Sequence, residues 1–158
     1  MPVIHLQTLI DAPRERVFDL ARSIDAHQTS TPGTGERAVA GVTSGLLELN
    51  DDVTWEARHL GVKQRLKSRM THLTRPDHFQ DVMVEGAFKY MRHDHTFEDQ
   101  GGKTLMTDRF EFGAPLGILG VLVERVFLTS YMRHFIVQRN QILQRVAESD
   151  EWKNYLKP

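Results

Sequence analysis

Residues 115–148, PLGILGVLVERVFLTSYMRHFIVQRNQILQRVAE, constrain this chain more than any other stretch. Pro115 at the entry and good helix formers to the end predict a helix too long to be a minor element. At about 100° per residue, Leu119, Leu122, Val123, Val126 and Phe127 point nearly opposite to Tyr131, Met132, Phe135, Ile136, Ile142, Leu143 and Val146. An apolar stripe that changes side predicts a break near Leu128 to Ser130, with the first half a lid and the second half the packing helix.

Ahead of this stretch the pattern is nearly all strand. Val3 to Ile10 alternates, and Asp11-Ala12-Pro13 supplies a capping residue and a first-turn proline for a short helix, RERVFDLA. Ser23 can cap a second short helix, Ile24 to Gln28, before TSTPGTG interrupts the pattern. From there to Phe112 no helical period is found. Strand-like runs cover Glu36–Val42, Asp52–Leu60, Val62–Arg75, His78–Glu85, Phe88–Glu98 and Lys103–Phe112. Strand, two helices, six strands and a long helix make an α+β chain whose antiparallel sheet hides its inner face by curling around the final helix.

The run VKQRLKSRMTHLT identifies that inner face, because Lys63, Arg65, Lys67 and Arg69 share one side and Val62, Gln64, Leu66, Ser68, Met70 and His72 the other. A two-residue turn at Leu60-Gly61 sets His59 against Val62 and Trp55 against Leu66. A similar turn at Pro76-Asp77 predicts Met70 opposite Met83, His72 opposite Asp81 and Thr74 opposite Phe79. A loop from Glu98 to Lys103 predicts Phe97 opposite Thr104, His95 opposite Met106, His93 opposite Asp108 and Met91 opposite Phe110. The inner face then carries Trp55, Leu66, Met70, Phe79, Met83, Met91, Phe97, Met106, Phe110 and Phe112. It also carries His59, Gln64, His72, Asp81, His93, His95 and Asp108, a heavy polar load for a sealed core, since each unpaired group costs roughly 1–3 kcal/mol. A cavity holding water or a ligand accommodates such a load.

Three readings of the polar set stay open. His93 with Asp108, and His72 with Asp81, can be cross-strand pairs that satisfy each other. His93, His95 and Asp108 can instead form the polar floor of a hydrophobic pocket, the carboxylate fixing a tautomer and the ring bonding a ligand oxygen or abstracting a proton beside a carbonyl. Third, His93-x-His95 sends both rings to one face, with His59 or Asp108 to complete a metal site; lacking a defined third ligand, no metal is assigned.

Bulk properties remove other classes. The chain of 158 residues is one domain of ordinary size, and 20 basic against 21 acidic residues give no global field toward nucleic acid or anionic membrane. The basic side of residues 62–75 lacks interleaved stacking aromatics and reads as a solvated sheet face. Zero cysteines exclude disulfides, Cys-ligated zinc and thiol catalysis, and suit a cytoplasmic location. The longest apolar run, Leu116 to Val123, is too short to span a bilayer, and the N-terminus has no signal-peptide pattern.

The phrases LIDAPRERVFDLARSIDAH, DVTWEARHLGVKQRL, FKYMRHDHTFED followed by TLMTDRFEF, and PLGILG ahead of the last helix resemble the START and Bet v1-like superfamily, also called SRPBCC. They are similar in particular to small bacterial ligand-binding, polyketide cyclase-like members. The resemblance spans residues 1–148 and leaves 149–158 as a tail. It implies the helix-grip fold, a curved seven-stranded antiparallel sheet gripping a C-terminal helix, with a cavity for a lipid, sterol, polyketide or quinone-like molecule. It implies no single activity.

The resulting expectation is a monomer or homodimer that needs no cofactor, spans no membrane, binds no nucleic acid and holds a hydrophobic or amphiphilic molecule. The ligand would lie against Trp55, Leu66, Met70, Phe79, Met83, Met91, Phe97, Met106, Phe110, Leu119, Val123 and Phe127. Its polar end would lie near His93, His95 and Asp108, with His59, Gln64 and Asp81 also lining the site, and it would enter under residues 116–127 and the loop 29–35. The alternatives are a cyclase, dehydratase or isomerase using His93, Asp108 and His95, and an interaction module docking through residues 119–128.

Overall fold

The computed structural model describes residues 2–114 and 127–157. Strand β1 (Val3–Ile10) leads into helices α1 (Arg14–Ala21) and α2 (Ile24–Thr29). There follow β2 (Arg37–Gly41), β3 (Asp52–His59), β4 (Val62–Thr74), β5 (His78–Glu85), β6 (Tyr90–Gln100), β7 (Lys103–Gly113) and the long helix α3 (Thr129–Glu148). The seven strands form one antiparallel sheet in the order β1-β7-β6-β5-β4-β3-β2, so the first strand returns to pair with the last. This is the expected α+β helix-grip arrangement, with α3 against the inner face.

Local chemistry accounts for most boundaries. Ser23 caps α2 by accepting from the Ala26 amide at 3.1 Å. Asp11 does not cap α1. Pro13 itself occupies the cap position with extended backbone, and no side chain bonds the first turn. Leu128 has helical dihedrals, and residues 127–128 are π-helical where they run into α3; the first half of the stretch, on which the break expected at Leu128–Ser130 depends, lies outside the described residues. The expected lid, with Leu119 and Val123, lies outside the described residues.

Two hairpin registers differ from the sequence expectation, with opposite consequences. The β6–β7 turn is the pair Gly101-Gly102, both at positive φ, so Phe97 faces Met106, His95 faces Asp108, His93 faces Phe110 and Met91 faces Phe112. That shift is by two residues and leaves every side chain on its expected face. Between β4 and β5 the turn has three residues, Arg75–Asp77, and Thr71 bulges out of the ladder. Met70 therefore faces Asp81, Ser68 faces Met83, His72 faces Gln80, Leu73 faces Phe79 and Thr74 faces His78. Beyond the bulge the parity flips. His72 is exposed, with its ring 5.3 Å from that of His78, and Leu73 turns inward in its place.

Two apolar clusters flank the interior. One joins Ile10, Phe18, Phe97, Met106, Leu143 and Val146 under α1, and the other joins Ile4, Met91, Phe112, Met132 and Ile136. A smaller group, Ile24, Val53 and Trp55, sits below α2. Residues after α3 continue onto this core: a 3₁₀ helix, Asp150–Asn154, brings Trp152, Tyr155 and Leu156 against the first cluster, with the Arg16 guanidinium 4.3 Å over the Trp152 ring. On the outer face the basic residues of β4 are partnered. Lys63 and Arg65 reach Glu56, and Lys67 and Arg69 reach Asp52.

Gly41 ends β2 with φ 74°, and a Cβ there would collide with the Asp52 carbonyl. Gly41→Ala combines strain with a backbone clash and is expected to lower stability by about 1–3 kcal/mol. Thermal denaturation checks this, and an unchanged midpoint would refute it.

Candidate functional site

Between the clusters, the inner face of the sheet and α3 enclose a cavity of about 200 Å³. Apolar side chains dominate its wall, among them Trp55, Leu66, Phe79, Met91, Phe110 and Phe135. His59, Gln64, Asp81, His93 and His95 also line it, so ten of the expected site residues come together. Six others do not, and Leu119 and Val123 lie outside the described residues. Met70, Phe97 and Met106 are sealed in the core, because the bulge and the α1 packing close that end. Met83 packs beside the second cluster outside the cavity wall, and Phe127 is exposed. Asp108 lies behind the histidines, fully buried.

Parity along β6 aims His93 and His95 inward, with ring centroids 3.8 Å apart. His93 Nε2 donates to Asp108 Oδ1 at 2.7 Å, diagonally across the β6–β7 ladder. His95 lies between two carboxylates, Nε2 at 3.2 Å from Asp81 Oδ2 and Nδ1 at 3.2 Å from Asp108 Oδ1, although the second contact is off the hydrogen-bonding direction. The His95 ring stacks on Phe79 at 4.2 Å. From α3, Asn140 Nδ2 donates to Asp108 Oδ2 at 2.7 Å, and Arg139 Nη2 stands 3.4 Å from Asp108 Oδ1.

These neighbours decide the protonation states. Burial works to raise the Asp108 pKa, but the bond from His93, the close approach of His95 and the charge of Arg139 outweigh it and hold the carboxyl well below its usual range. Asp81 follows the same pattern: burial opposes ionisation, and His95 overcomes it. Burial also opposes a charge on His95, yet its two carboxylates win and its pKa is raised. His93 goes the other way, lowered to about 4, first by burial and next by the charge of His95, with Asp108 opposing. The carboxylates of Asp81 and Asp108 thus favour the charged form of His95, which together with the Arg139 guanidinium offsets their negative charge. His93 is neutral, its Nε2–H spent on Asp108, which leaves Nδ1 as an acceptor at the cavity wall.

A second polar group lines the other side of the cavity. His59 Nδ1 and Tyr131 Oη are 2.7 Å apart, and His27, stacked 4.2 Å from the Trp55 ring, places Nε2 3.2 Å from Glu36 Oε1. His59 is lowered by burial, partly offset by Glu36. This arrangement takes His59 away from His93 and His95. Asp81 replaces it as the third metal-type donor, the three donor atoms lying within 4.8 Å of one another. A tetrahedral ion with bonds of about 2.0–2.1 Å needs donors nearer 3.3 Å apart. Both His95 nitrogens also already stand beside carboxylates, so the trio is an ion-pair network in its present geometry.

Sequence patterns also missed Arg139, Asn140, Glu36 and His27. The first two sit on the buried stripe of α3, between Ile136 and Leu143, where apolar residues would continue the period.

The model of the polyketide cyclase/dehydrase and lipid transport family matches residues 1–148. The chain belongs to this family. Its fold is that of the START and Bet v1-like superfamily. Among solved structures it is similar to the protein TTHA0849 from Thermus thermophilus, at 17% identity and TM-score 0.74 over 91% of this chain and 95% of that one. It is also similar to CV1439 from Chromobacterium violaceum, at 14% and 0.72 over 94% and 98%. The ginseng major latex-like protein 151 from Panax ginseng matches at 18% and 0.67, again over 94% and 98%. At such identities these likenesses establish the fold alone. No curated protein matches the sequence. Among the described residues no helix is long and apolar enough to cross a membrane.

Proposed function

We propose that this family member binds a small apolar or amphiphilic molecule in the cavity between the sheet and α3. The cavity itself carries the reading. A void of about 150 Å³ lined only by apolar groups is enough to hold a benzene ring, and this one is larger and has aromatic walls with a polar end at His93 and His95. The family, described by cyclase, dehydrase and lipid-transport members, supports a ligand without choosing one. The apolar part would rest on Trp55, Leu66, Met91 and Phe110, and a hydroxyl or carbonyl would meet the histidines. We propose further that it works in the cytoplasm, as a monomer or homodimer.

Holding fits the cluster better than catalysis. General-base work at neutral pH is best served by a pKa near the working pH, and His93 at about 4 is a weak base, while His95 is committed to two carboxylates. Protein taken from cells under non-denaturing conditions is expected to carry a small molecule visible by native mass spectrometry, or to take one from a cell lipid extract. Failure of both would overturn the proposal. Turnover of a bound compound that His93→Ala abolishes would move the protein to the enzyme class.

A further inference from the structure

Arg139 is buried to 6% exposure on α3, and its Nε has no hydrogen-bond partner among the described residues. Its two Nη2 contacts, to Asp108 at 3.4 Å and Asn140 at 3.3 Å, are long for a guanidinium. Glu36 is in the mirror situation. Its Oε1 lies 3.2 Å from His27 Nε2, a charge contact off the hydrogen-bonding direction, and its Oε2 is buried and unpartnered among the described residues. Both residues line the same cavity. A buried donor and a buried acceptor left open are each costly, and charged ones more so.

We propose, building on the cavity-binding reading, that Glu36 and Arg139 select a neutral aromatic ligand carrying both a hydroxyl and a carbonyl-type oxygen. The hydroxyl donates to Glu36 Oε2 and the carbonyl oxygen accepts from Arg139 Nε. Charge decides against an acid as the acceptor. Arg139 already has the Asp108 carboxylate beside it, and Asp81 and Glu36 add two more carboxylates to the cavity wall. Arg22 and Arg65 also line the cavity, but Arg22 is paired with Asp19 and Glu48 and Arg65 with Glu56, so a ligand carboxylate would find only the Arg139 guanidinium open to it, beside Glu36 and Asp81, and would lose its hydration there. A neutral oxygen satisfies the open guanidinium N–H without adding a negative charge. The volume of about 200 Å³ limits the ligand to a ring system of one or two rings.

The test uses single-ring compounds of nearly equal shape: ethylbenzene, 4-ethylphenol, acetophenone, 4-hydroxyacetophenone and 4-hydroxybenzoate. They are titrated into the full chain at pH 7 and followed by amide chemical shifts. Each of the two groups is expected to tighten binding about tenfold over ethylbenzene, and 4-hydroxybenzoate to bind at least tenfold more weakly than 4-hydroxyacetophenone. In Glu36→Gln the advantage of the hydroxyl should shrink while that of the carbonyl stays. Arg139→Lys, which keeps the charge and removes Nε, should do the reverse. Equal affinities across the series in the wild-type protein would mean that water alone serves the two open groups, and would overturn this inference while leaving cavity binding standing. Tighter binding of the acid would overturn it as well. If none of the five binds, this inference falls, while cavity binding stands or falls by the native mass spectrometry and the lipid-extract experiment. The wild-type series decides the matter even if a variant fails to fold.

Discussion

Asp108→Ala is expected to lower the stability of the protein by about 3–5 kcal/mol. The carboxylate is fully buried and accepts from His93 at 2.7 Å and Asn140 at 2.7 Å, with His95 and Arg139 close by. Removing it leaves Arg139 facing a cavity without the carboxylate that stood beside it, and takes from His95 one of the two charges that raise its pKa. The cost is thus that of an uncompensated buried cation, well beyond the roughly 1 kcal/mol of an ordinary hydrogen bond. Asp108→Asn keeps the shape and part of the bonding and should cost less. Pairing Asp108→Ala with Arg139→Met removes both charges together and should recover part of the loss, because an apolar replacement of a buried pair is far cheaper than half of one. Urea denaturation of the wild type, Asp108→Ala, Asp108→Asn, Arg139→Met and the double variant measures this. A loss below about 1 kcal/mol for Asp108→Ala, or a double variant no better than additive, would refute the charge-balance account.

How much of this was legible in the sequence follows from which signals have a period. Strand alternation survived in the readout of Trp55, Leu66, His93 and His95, because a register error of two residues at Gly101-Gly102 does not change a face. It failed for His72, where the Thr71 bulge inserts one residue, and a one-residue slip inverts the face; nothing in VKQRLKSRMTHLT announces a bulge. The Met70, Phe97 and Met106 assignments were right about facing inward and wrong about depth. Parity tells the side of a sheet, whereas the packing of α1 tells which part of that side is filled. Arg139 and Asn140 were the informative omission. They occupy the place on the α3 stripe where the next apolar pair belongs, and a charged residue there reads as surface unless a carboxylate such as Asp108 is already assigned beneath it. Glu36 and His27 come from a strand edge and a six-residue helix, and their meeting is a long-range contact with no local pattern.

Between pH 6.5 and 4 the protein is expected to lose stability, and the His93 variant His93→Gln is expected to lose much less. The His93 pKa falls from 6.5 to about 4 on folding. In that window the unfolded chain takes up a proton that folded His93 refuses, so acidification favours unfolding. At about 1.4 kcal/mol per unit, the gap amounts to about 3 kcal/mol by the acid end of the window. His59, also lowered by burial, acts in the same direction. His95 has the opposite sign: its contribution is full below 6.5 and is lost only as pH rises through its raised folded pKa, so it adds nothing to the acid limb and sets a decline on the alkaline side. Asp81, Asp108 and Glu36 are depressed, so their contributions are present above about pH 4 and are lost below it, as pH falls through their folded values. They steepen the curve only after His93 has acted. Because glutamine can still donate to Asp108, His93→Gln isolates the titration from the hydrogen bond. Denaturant midpoints at pH 7, 6, 5 and 4.5 check the slope. A flat wild-type profile, or an equal slope in the variant, would mean that His93 is not the buried neutral acceptor on which the polar end of the cavity depends.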